Sequence, residues 1–155
     1  MDNDRREGDL FMLMESDRAV LDETYRSCTM GVEAINTIIH KVADEKLALD
    51  LNRQACKYTS FARKAAEKLA MQYEAPKGQM TGKAMLWAGI QMNTLADTST
   101  EHVAELMIRG NTMAITDMMK VLKANKNVKK EYCVFANDLM DFEEKCIETL
   151  KAYLK

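Results

Sequence analysis

Apolar residues recur three and four positions apart through most of this chain, the spacing of helices that bury one face. Between Ser16 and Val42 the seam reads Leu21, Tyr25, Cys28, Val32, Ile35, Ile39 and Val42. Phe11 and Met14 continue it upstream, so this first helix can begin as early as Asp9. Asp44 is the expected N-cap of a second helix running to Tyr73, whose stripe is Leu51, Ala55, Tyr58, Ala62, Ala65 and Leu69. So short a link predicts an antiparallel hairpin. Residues 74–78, EAPKG, hold the one proline and break the pattern. A shorter helix is expected from Met80 to Ala96, around MLWAGIQM. Thr98 or Ser99 then caps a third long helix reaching Asn125, and Asn127 caps a fourth running to the end, which makes a second hairpin.

The expected fold class is all-α: a four-long-helix antiparallel bundle, built as two helical hairpins joined by a crossover that contains a short helix. Residues 1–9 read as a flexible tail and 10–155 as a single helical domain. A helix of about 26 residues is about 39 Å long, and the connector of roughly 25 residues can return most of that length, which allows the favoured crossover as well as plain up-down-up-down topology. The third long helix has more apolar surface than a bundle core requires, because His102, Glu105, Arg109, Thr112, Thr116, Lys120 and Lys123 crowd one narrow arc. That extra surface can pack on the 80–96 segment or on a second subunit, and Trp87, Ile108, Ile115 and Met119 are the expected interface residues, with a homodimer as the favoured partner.

Composition narrows the classes. Six glycines and one proline in 155 residues leave few of the turns an all-β fold needs. A formal net charge of −2 provides no broad field to attract nucleic acid or an anionic membrane. The opening MDNDRREGD is polar, and no run approaches the ~18 apolar residues of a membrane span. Cysteines 28, 56, 133 and 146 form no CxxC pair, so four reduced thiols in a cytoplasmic protein are expected. Phosphate-loop, dinucleotide-binding, zinc-protease and nucleophile-elbow motifs do not occur, which points away from catalysis.

The stretch AMLWAGIQMNTLADTSTEHVAELMIRG, at 84–110 between two long helical hairpins, resembles small bacterial proteins of the ferritin-like bundle superfamily. The resemblance implies a ferritin-like fold. Proteins of that superfamily hold two metal ions with one Glu from each of two helices and a Glu-x-x-His from each of the other two. The second and fourth long helices here contain no histidine, so a di-iron centre is not implied for this chain.

Chemistry, if present, is expected where polar groups interrupt apolar faces. Glu143 stands among Ala136, Leu139, Cys146, Ile147 and Leu150, and Asp117 shares an arc with Val103, Ala114 and Val121. The first two helices offer Thr24, Tyr25, Cys28, Gln54 and Tyr58, and no carboxylate is expected from them. In the crossover topology Glu143 faces Gln54 and Tyr58, whereas Asp117 faces Tyr25. When satisfied, such groups fix helix register; when not, they form a pocket for a small cation or polar ligand. A second arrangement places His40 and His102 at one end of the bundle with Glu105, a donor set suited to a transition metal, although no cofactor is expected overall. Thirteen methionines fall at core spacing and read as adaptable packing. The expected function is thus non-catalytic contact with a protein partner or a second copy. The alternative is a ferritin-like bundle that binds a metal or small ligand through Glu143.

Overall fold

A computed structural model describes residues 14–71 and 95–154. Among the described residues the chain is all-helical, with four long helices and no strand: α1 Glu15–Ile38, α2 Glu45–Ala70, α3 Thr100–Ala124 and α4 Lys130–Lys151. A 3-10 turn, Ile39–Lys41, closes α1, which therefore stops being α-helical four residues before Val42. The expected tail at 1–9, the break at 74–78 and the short helix up to residue 94 lie outside the described residues. Leu95 and Ala96 are non-helical.

Capping explains most of the boundaries. Asp44 accepts the Leu47 N–H at 2.8 Å and Ser99 accepts the His102 N–H at 3.3 Å, satisfying donors that a helix start leaves open. Asn127 does not cap α4; it takes φ 69° in the turn, a left-handed conformation that asparagine tolerates, and Lys129 is the N-cap. The partner that α4 lacks locally is supplied from α1. Asp17 is 0% exposed and accepts the Met14 N–H at 3.1 Å and the Lys129 N–H at 2.8 Å, with the Lys129 ammonium 3.9 Å away. One carboxylate thus serves two helix starts, and α1 and α4 begin at the same end of the molecule. At the other end Tyr153, just beyond α4, donates to Asp50 early in α2 at 2.5 Å.

The core follows the seams. Leu21, Cys28 and Ile35 of α1 are buried with Leu51, Tyr58, Ala65 and Leu69 of α2, Val103, Met107 and Met118 of α3, and Ala136, Leu139 and Leu150 of α4. Each fully buried aliphatic side chain contributes on the order of 2 kcal/mol by leaving water. Contrary to the expectation that α1 brings no carboxylate inside, Asp17 and Glu23 are both buried. Asp17 continues the Met14–Leu21 seam, and Glu23 is neutralised by an ion pair with Arg26 one turn on.

Candidate functional site

At mid-height, three helices send polar side chains inward to one place. Gln54 and Tyr58 lie four residues apart on the inner face of α2, Asn111 interrupts the buried stripe of α3, and Glu143 interrupts that of α4. Asn111 Oδ1 accepts from Tyr58 Oη at 2.5 Å and from Gln54 Nε2 at 2.8 Å. Gln54 Nε2 also donates to Tyr58 Oη at 3.3 Å, and Tyr58 Oη stands 3.4 Å from Glu143 Oε1. A phenol has one proton, and the shorter contact with Asn111 claims it. The 3.4 Å contact with Glu143 is therefore a weak one, and the carboxyl is left without a close hydrogen-bond partner.

The electrostatics agree. Glu143 is 1% exposed, and burial pushes its carboxyl up to about 8 against the Tyr58 hydrogen bond, with the Glu23 charge adding to the rise. Burial likewise pushes the Cys146 thiol up to about 12, with Glu143 and then Asp50 contributing. The Cys28 thiol is raised for the same leading reason. Both neighbours are therefore protonated, weakly nucleophilic thiols at neutral pH. None of the four cysteines is in a disulfide.

Packing also fixes Tyr58. Phe142 meets its ring edge to face at 5.5 Å. The ring also lies against Gly31 in α1, where an added Cβ would fall 2.7 Å from Tyr58 Cε2. Gly31 is thus the space into which the phenol fits.

Two atoms of this cluster, Asn111 Nδ2 and Glu143 Oε2, are buried without a hydrogen-bond partner. Each such vacancy costs about 1–3 kcal/mol, so a native fold keeps few of them. A cleft of about 780 Å³ between α1 and α3 opens onto the cluster: Tyr58 and Asn111 line it, Gly31, Met107, Gly110 and Ala114 shape its walls, and Glu23, Arg26 and Asp117 lie farther along. Its size suits a small organic molecule. Glu143 stands behind Tyr58, outside the lining.

Of the residues singled out in the sequence, Gln54, Tyr58 and Glu143 do come together. Asp117 lines the cleft with Glu23 and Arg26, whereas Tyr25, expected opposite Asp117, packs half-buried against the core and does not line the cleft. Such an outcome follows from the angular position of Tyr25, two residues beyond Glu23 on α1 and so on a different face. His102 Nδ1 is 3.5 Å from Glu105 Oε2, and His40 is exposed in the 3-10 turn. Among the described residues no group of three or more His, Cys, Asp or Glu is placed to hold a metal ion. At the expected interface, Ile108 and Ile115 are half-buried, Met119 is 59% exposed, and Trp87 lies outside the described residues.

Sequence reasoning missed Asn111, Glu23 and Gly31. Asn111 carried a visible signal, standing four residues after Met107 and three before Ala114 on the inner stripe. Gly31 carried none, because its role depends on which ring packs against it. No described helix is long and apolar enough to cross a membrane. Comparison with known protein families, characterised proteins and solved structures finds no match to this chain.

Proposed function

We propose that the protein is a non-catalytic binding bundle that takes up a small molecule with an apolar body and a hydrogen-bond-accepting carbonyl. The carrying observation is Asn111, a residue of the cleft lining between α1 and α3 whose buried Nδ2 has no partner and whose Oδ1 is held by Gln54 and Tyr58. With Oδ1 occupied twice, Nδ2 is left to donate, and a carbonyl oxygen is its complement. Methionine and alanine walls accommodate the apolar remainder. Neutral Glu143 supports Tyr58 from behind, so the acid holds the floor in place instead of touching the ligand.

In this reading the two hairpins adopt the ferritin-like crossover arrangement. The Asp17–Lys129 contact at one end and the Asp50–Tyr153 contact at the other support it, since they pair the start of α1 with that of α4 and the start of α2 with the end of α4. The site, however, holds an organic ligand where a ferritin-like centre would hold metals.

N-pentylacetamide is a minimal probe. In ligand-observed NMR it should bind the native chain and fail to bind Ala114→Phe, which fills the cleft from a half-buried wall position outside the polar cluster. Equal signals from the two proteins, or none from either, contradict the reading. A second reading, self-association through the apolar side of α3, draws on the exposure of Met119. Sedimentation equilibrium showing a monomer at micromolar concentration removes it.

A further inference from the structure

We infer that the cleft prefers a ligand carrying an ammonium group at the end away from its carbonyl, a linear amide-amine, and that Asp117 receives that charge. The inference rests on the binding role of Asn111 given above and adds a second anchor to it.

Tyr58 touches both Gly31 of α1 and Asn111 of α3, which sets one level of the cleft. Farther along, Glu23 and Asp117 form a second level, close enough for the Asp117 charge to raise the Glu23 carboxyl, after burial and against the Arg26 cation. Asn111 and Asp117 are six residues apart on one helix, about 9 Å at helical rise. The charges at the second level do not cancel. Glu23 is ion-paired with Arg26, while Asp117, half-buried, has no ion pair among the described residues. Two further cations line the cleft, Arg109 and Lys120, but both are exposed on the outer polar arc of α3. The cleft lining therefore combines Asn111, with its unpartnered donor, and Asp117, an anion with no ion pair among the described residues, separated by an apolar stretch that includes Ala114. An acyl carbonyl joined through a short methylene chain to an ammonium complements all three features.

N-acetyl-1,5-diaminopentane spans about this distance when extended. Calorimetric titration of the full chain should show it binding about tenfold more tightly than N-pentylacetamide, the value of roughly one partly screened charge pair. Asp117→Asn should erase that advantage, and raised salt should shrink it. Equal affinity of the two probes for the native chain overturns the inference and leaves the carbonyl site standing. An advantage that survives Asp117→Asn also overturns it, because the charge is then held elsewhere. Binding of neither probe overturns both.

Discussion

Asp17 and Glu143 are the two most deeply buried acids among the described residues, and their surroundings are opposite. Asp17 is 0% exposed and accepts two backbone N–H groups with an ammonium nearby, so each of its oxygens is engaged. Glu143 is 1% exposed, faces one phenol at 3.4 Å and leaves Oε2 without a partner. Burial costs both groups their hydration. At Asp17 the fold compensates by using the charge to close two helix starts, and the result is architecture. At Glu143 compensation is incomplete, the proton is retained, and an unpartnered amide lies in the same cluster. A buried acid by itself therefore says little about function; the completeness of its hydrogen bonding separates a structural clasp from a site.

Breaking the clasp should have the largest effect. Asp17→Ala removes the acceptor shared by two backbone donors and the charge facing the Lys129 ammonium, and a loss of about 4 kcal/mol in urea unfolding is expected from two charge-assisted bonds. Glu143→Gln should do the reverse. The native carboxyl at about 8 lies above its ordinary value of 4.5, so the folded state binds the proton more tightly. The stability this supplies is complete below about pH 4.5 and is lost as pH rises toward 8. An amide of the same shape escapes that loss: Glu143→Gln should gain on the order of 3 kcal/mol at pH 7 and flatten the decline between those limits.

Smaller effects sharpen the contrast. Gly31→Ala should cost about 2 kcal/mol, since overpacking Tyr58 outweighs the better helix propensity of alanine. Combined with Tyr58→Ala, the same change should become neutral or stabilising, so the pair reads out as a coupled site in thermal unfolding. Tyr153→Phe removes one half-buried hydrogen bond to Asp50 and should cost about 1 kcal/mol, a yardstick for an ordinary contact at the far end of the bundle.

Much of the scaffold was legible in the sequence because one periodicity runs through it. The seams located all four long helices, and Asp44 and Ser99 marked two starts correctly. Asn127 misled because the turn needs a left-handed residue there, and a distant carboxylate replaces the local cap. The convergence of Gln54, Tyr58 and Glu143 was readable as polar interruptions at matching heights. Asn111 was overlooked on a helix read as almost wholly apolar away from its charged arc. The burial of Asp17 and Glu23 depends on partners that spacing does not reveal, one of them more than a hundred residues away in sequence. Gly31 matters solely through tertiary contact with a ring on the neighbouring helix.

The central claim, that the Glu143 cluster is an incompletely satisfied polar floor serving a ligand, can be tested on the carboxyl itself. The measurement is the carbon-13 chemical shift of the Glu143 side chain as a function of pH, assigned by its absence in Glu143→Gln, with and without N-pentylacetamide. The account predicts a midpoint near 8 for the free protein and a displaced midpoint when Asn111 is engaged, because Tyr58 connects the two. A midpoint near the ordinary 4.5 that the amide leaves unmoved would contradict it.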